Sequence, residues 1–117
     1  MHDLVLMKLE IEVLKAAIFA INGTSEDISV ELFNSIIIEH NIEGSGFMTY
    51  FSKSDNLKIN KIPNSGFWGD ISGTITNDKI PVIFTIFFDE MFISAIDGCT
   101  LGDSWPSNLE SYQLELL

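Results

Sequence analysis

Residues 82–97 read VIFTIFFDEMFISAID, and the alternation within this stretch sets the fold. Two runs rich in β-branched and aromatic residues flank the acidic pair Asp89-Glu90, the pattern of a β-hairpin. Side chains alternate between the two faces of a strand, so a two-residue turn at Asp89-Glu90 fixes the pairing. Phe88 then meets Met91, Ile86 meets Ile93 and Phe84 meets Ala95 on one face. On the other face Ile83 meets Ile96, Thr85 meets Ser94 and Phe87 meets Phe92. A further strand over 67–76 adds Ile71 and Ile75 to the first face, and Ser72, Thr74 and Thr76 to the second. The first face is wholly apolar and is expected to form the core. The second mixes hydroxyls with Phe87, Phe92, Ile83 and Ile96, and is edged by Asp70, Asp89 and Glu90.

Working outward, β-branched and aromatic residues dominate from about Ile36 onward, with turn formers at short intervals. Strands are expected near 36–51, 57–62, 67–76, 82–88, 91–97 and 111–116, with Gly44 and Gly46 marking a bend or bulge in the first. Before them, Leu4, Met7, Ile11, Leu14, Ile18 and Ile21 form a helical stripe, although Met7, Leu9, Ile11 and Val13 also alternate. The length of the segment, the Ala16-Ala17 pair and the Asn22-Gly23 stop select a helix over 4–21. Thr24 or Ser25 can cap a second helix, with Glu26 and Asp27 in its first turn and Ile28, Leu32 and Phe33 on its buried face. The expectation is one α+β domain over 1–117: two N-terminal helices packed on one face of a mainly antiparallel sheet of five to six strands.

Hydrophobic residues make up 46% of the 117 positions, including 9 Phe and 2 Trp, which is enough to build a core without disulfides or a structural metal. Against 17 acidic residues stand 6 bases, all Lys, for a net charge of -11. Without arginine the chain lacks the bidentate fork that recognises phosphate, and its charge repels nucleic acid and anionic membranes. Basic partners are attracted at long range. The single cysteine, Cys99, cannot form an internal disulfide, which fits a reducing cytoplasm. Asp3 stands where a signal peptide carries positive charge, and Lys8, Glu10, Glu12 and Lys15 interrupt the apolar run that follows. That run is therefore expected to be neither a signal peptide nor a membrane span.

No pattern assembles reaction chemistry. His2 and His40 lie far apart in sequence, so His40 is expected to be structural or superficial rather than a metal ligand. Cys99 has no histidine near it in sequence and is expected to be a buried inert thiol. The pairs Asp89-Glu90 and Glu26-Asp27 are sequence neighbours at a turn and a helix start, not carboxylates facing across a cleft. Gly44-Ser45-Gly46 lacks the lysine and helix of a phosphate cradle. Trp105-Pro106 after Gly102-Asp103 reads as a loop anchor on the sheet. Neither catalytic activity, a cofactor nor a bound metal is expected.

Three segments form an ordered series: Gly46-Phe47-Met48-Thr49-Tyr50-Phe51, Gly69-Asp70-Ile71-Ser72-Gly73 and Phe84-Thr85-Ile86-Phe87-Phe88-Asp89. The series continues through Ile96-Asp97-Gly98 to Gly102-Asp103-Ser104-Trp105-Pro106. Over roughly residues 40–106 the chain resembles small bacterial α+β immunity proteins that accompany contact-dependent growth-inhibition and other polymorphic toxins. The resemblance implies a cytoplasmic protein, monomeric when free, that binds and neutralises the toxin domain of its own operon, often a nuclease with a basic active site. The alternative is a ligand-binding or adaptor module whose acidity is only solubilising. On the immunity reading the partner-binding residues are Asp70, Phe87, Asp89, Glu90 and Phe92, joined by Asp97 and Asp103.

Overall fold

The computed structural model describes residues 6–22, 30–53, 65–75, 79–90, 92–106 and 112–116. One helix, α1 (Lys8–Asn22), and a short 3-10 helix (Val30–Ile36) precede six strands: β1 (Ile37–Glu43), β2 (Gly46–Phe51), β3 (Ser65–Ile75), β4 (Ile80–Asp89), β5 (Phe92–Thr100) and β6 (Tyr112–Leu116). Among the described residues these form one antiparallel sheet in the order β1-β2-β5-β4-β3-β6. The α+β class and the antiparallel sheet are as expected, and four details differ.

The second helix is the first of these. In its described part the chain forms a 3-10 turn, which buries Phe33 but leaves Leu32 48% exposed. Adjacent side chains in a 3-10 helix point about 120° apart, so burying Phe33 turns Leu32 outward. The expected cap at Thr24 or Ser25, together with Glu26, Asp27 and Ile28, lies outside the described residues, as does the expected strand over 57–62.

The long first strand is in fact a hairpin. Glu43 pairs with Gly46 across a two-residue Gly44-Ser45 turn, and Gly44 has φ +58°, a conformation that glycine reaches without steric penalty.

Third, the turn between β4 and β5 falls on Glu90-Met91, because Asp89 pairs with Phe92. The expected register is overturned: Phe88 pairs with Ile93, then Phe87 with Ala95 and Ile86 with Ile96. The step between the first two pairs is a β-bulge that leaves Ser94 as the extra residue, and its hydroxyl donates to the Phe87 carbonyl at 3.2 Å. The parity of β4 survives, with Val82, Phe84, Ile86 and Phe88 all buried. That of β5 switches at the bulge, turning Ile96 into the core and Ala95 onto the other face.

α1 begins where its first amides find acceptors. Ile11 N–H donates to the Met7 carbonyl at 3.1 Å, and the Glu10 carboxylate reaches back to Met7 N–H at 3.0 Å, the acidic half of a capping box. Leu6 N–H donates to Asn34 Oδ1 at 2.7 Å and ties this start to the 3-10 turn. The buried stripe is Leu9, Val13, Leu14, Ala17 and Ile18, with Met7 and Ile11 as its half-buried flank. The helix is thus rotated from the expected stripe, and the rotation carries Glu10 inward. It starts at Lys8 rather than residue 4; Leu4 and the Ile21 side chain lie outside the description.

Glu10 is fully buried, accepts a 2.5 Å hydrogen bond from Thr49 Oγ1, and lies 3.3 Å from His40 Nε2. The His40 contact is close enough for an ion pair but outside hydrogen-bond geometry. His40 is therefore structural, as expected, and joins β1 to the helix. Glu10→Ala removes the acceptor of a helix-start amide and of a buried hydroxyl, and is expected to destabilise the domain by about 1–3 kcal/mol. Glu10→Gln, which keeps an acceptor oxygen, should lose less. Urea denaturation of both variants checks the order.

The core lies between α1 and one face of the sheet, where Ile71, Ile75, Phe84, Ile86, Ile93 and Ile96 meet the helix stripe. Phe47 packs edge-on against Trp105, with ring centroids 4.9 Å apart. Trp105 is buried, and its backbone N–H donates to the Gly44 carbonyl at 2.9 Å while the Thr100 backbone N–H donates to the Ser45 carbonyl at 2.8 Å. The loop after β5 is thereby fastened to the β1–β2 turn, and Trp105 is the anchor the sequence suggested.

Candidate interaction surface

Because α1 covers one face of the sheet, the other is the place to look for a site. Strand register assigns its residues: Glu39, Asn41 and Glu43 on β1; Met48 and Tyr50 on β2; Asp97 and Cys99 on β5; Ile83, Thr85, Phe87 and Asp89 on β4. Phe67, Ser72 and Thr74 continue it on β3, and Gln113 and Glu115 on β6. Phe67 is 73% exposed opposite Phe87, Ile83 is 41% exposed and Tyr50 38%. Isolated apolar residues at a surface are ordinary, but these are spread over neighbouring strands of one face.

The charge carried by the described strands of this face has a single sign. The six strands contain Glu39, Glu43, Asp70, Asp89, Asp97 and Glu115 but no lysine or arginine. None of the five whose side chains are described is buried. The described strands therefore present carboxylates and apolar groups together, and the described lysines are Lys8 and Lys15 on α1 and Lys53 and Lys79 in connections.

The structure brings some of the expected site residues together. Phe87 and Phe92 are both half-buried on this face, but Phe92 stands opposite Asp89 and Phe87 opposite Ala95, so the two are diagonal rather than paired. Asp89 and Glu90 are exposed beside them, Glu90 at φ 51° in the turn. Their charge is partly offset: Lys53 Nζ lies 3.4 Å from Asp89 and 3.1 Å from Glu90. The hydrogen bond to Glu90, ahead of the other influences, raises the Lys53 pKa. Asp70 falls within the irregularity of β3 between Trp68 and Ile71, and its side chain lies outside the description. Asp97 is on the same face opposite Thr85, five residues along β5 from Phe92, roughly 16 Å at strand rise. Asp103 is exposed in the loop beyond the far end of β5 and does not join the others.

Cys99 corrects another expectation. It is exposed, not buried, with Sγ 3.7 Å from Ser45 Oγ. After the bulge at Ser94, odd-numbered residues of β5 point away from the core.

Between β1, β2 and β5 this face sinks into an open depression of about 300 Å³ bordered by Asn41, Glu43, Ser45, Met48, Tyr50 and Asp97, with Cys99 at its rim. Asp97 is half-buried there, and desolvation raises its pKa above the ordinary aspartate range. Among the described residues its carboxylate has neither a hydrogen-bond donor nor a cation beside it. Sequence reasoning missed the depression, together with Tyr50, Met48, Glu39 and Glu43. Treating 36–51 as one strand hid the hairpin whose two arms form its wall, and the Gly44-Ser45 pair was the available signal.

Among the described residues no three of His, Cys, Asp and Glu converge as a metal site requires, and no helix is long and apolar enough to cross a membrane. Comparison of the chain with protein-family profiles, curated proteins and solved structures finds no match.

Proposed function

We propose that the chain is an immunity protein that neutralises a basic toxin domain by covering it with the outer face of the sheet, and that it has no chemistry of its own. One observation carries this reading: the described strands of the sheet bear carboxylates and no lysine, set among Phe67, Phe87, Phe92 and Tyr50 on the face opposite α1. Aromatic anchors, hydroxyls and a charged surround are the composition of a protein interface. The resemblance over residues 40–106 supports the same reading and supplies the toxin as partner. Carboxylates steer the encounter, and burial of the aromatic side chains then holds the complex.

The test is co-expression with the toxin domain encoded beside it, scored as growth rescue, followed by surface plasmon resonance at two salt concentrations. The association rate is expected to fall by about tenfold or more from low to physiological salt. Phe87→Ala should chiefly speed dissociation, with thermal stability measured alongside. An absence of rescue together with salt-independent association sinks the proposal.

A further inference from the structure

The described strands of the outer face carry carboxylates and no lysine, and the depression between β1, β2 and β5 contains the half-buried Asp97, which has no partner among the described residues. An unpaired, partly desolvated carboxylate is unfavourable in the free protein, and a cation brought against it recovers the lost solvation. About 300 Å³ lies at the small end of the range for enclosed ligand sites, and this site is open. It therefore suits a side chain projecting from another surface better than a small molecule held on all sides.

The wall chemistry is selective as well. Tyr50 offers an aromatic ring, Asn41 and Ser45 offer side-chain oxygens, and Glu43 adds a second carboxylate at the edge. Planar guanidinium groups stack on aromatic rings and fork onto carboxylates, whereas an ammonium acts as a point charge. The Asp89-Glu90 end already holds Lys53, so an incoming cation gains less there.

We infer that the depression between β1, β2 and β5 seats an arginine side chain of the basic protein partner, with Asp97 as its counter-charge and Tyr50 as its stacking surface. This rests on the proposed docking of a basic protein, and it moves the centre of that interface from the Asp89-Glu90 turn to the β1-β2-β5 side of the sheet.

A hexa-arginine peptide serves as probe, so the test does not depend on knowing the toxin. In an NMR titration of the whole chain at low salt, amide shifts should centre on Met48, Tyr50, Asp97 and Cys99, and Cys99 should be protected from alkylation. Asp97→Asn should weaken binding at least tenfold, whereas Glu12→Gln on the exposed side of α1, with the same change in net charge, should weaken it less than twofold. Hexa-lysine should bind more weakly than hexa-arginine. Removing an unpaired desolvated charge should leave the melting temperature of Asp97→Asn equal or higher, which separates a binding loss from a folding loss. Shifts centred on Asp89 and Glu90, or equal losses in the two variants, overturn the inference. Growth rescue by the parent chain would then still stand for the immunity reading, and failure of rescue with a clean Asp97 effect would refute that reading alone.

Discussion

Replacing Phe84 with aspartate is expected to abolish the cooperative fold, whereas the same replacement one residue on, at Thr85, should leave the domain folded. Phe84 is fully buried between its β3 and β5 neighbours, Ile71 and Gly98, in the cluster that meets α1. A buried carboxylate without a partner costs several kcal/mol, comparable with a whole domain stability of roughly 5–15 kcal/mol. Thr85 lies on the outer face opposite Asp97. An aspartate there remains in contact with water and adds a cross-strand like-charge pair, a penalty of about 0.2–1 kcal/mol. Ile86→Asp should behave like Phe84→Asp, since Ile86 is equally buried. Circular dichroism melts of the three variants decide it, and greater damage from Thr85→Asp would mean that β4 presents the opposite face to the helix.

The second large effect is expected at Gly98, opposite Phe47 on β2 and Phe84 on β4. A Cβ added there would lie 2.2 Å from the Phe47 ring, far inside contact distance. Phe47 cannot easily give way, because it is 2% exposed and held against Trp105. Overpacking of this kind costs about 1–3 kcal/mol for a methyl group, and Gly98→Val should exceed what the domain tolerates. Phe47→Leu introduced with Gly98→Ala should restore part of the loss, giving a favourable coupling in a double-mutant cycle. Strictly additive effects in that cycle would show that the ring is not what the methyl group meets.

How far the sequence disclosed this structure depended on whether a local rule held along a whole element. The parity of β4 was legible because Val82, Phe84, Ile86 and Phe88 obey a strict period of two from end to end. β5 obeys the same rule up to Ser94 and then changes phase. A serine between Ile93 and Ala95 carries no mark of a bulge, so Ile96 was assigned to the wrong side. The turn was misplaced by one residue because Asp89-Glu90 has turn composition, while the residue that adopts positive φ is Glu90, which is uncommon outside glycine, asparagine and aspartate. Glu10 looked like a solvated helix residue, since sequence shows its charge but not Thr49 and His40, which lie at least 30 positions away and reach it only in the folded sheet. Of the site, the aromatic and acidic content of the outer face was readable from β4, whereas the depression required knowing that β1 and β2 are two strands.

The bulge at Ser94 has a bearing on how this chain can change over generations. It lets one strand send Ile93 inward on one side of the irregularity, and Ile96, Gly98 and Thr100 inward on the other. Gaining a residue beyond the one the bulge absorbs would shift one half against the other, bringing Asp97 inward and ejecting Ile96, whereas losing Ser94 would leave a regular strand with Ile93 and Ile96 still inward. Substitutions at outward positions on either side leave that arrangement untouched. The lineage is thus free to revise the exposed lettering of β5 one residue at a time, while added length is barred, so divergence in what the surface recognises can proceed by replacement but not by insertion.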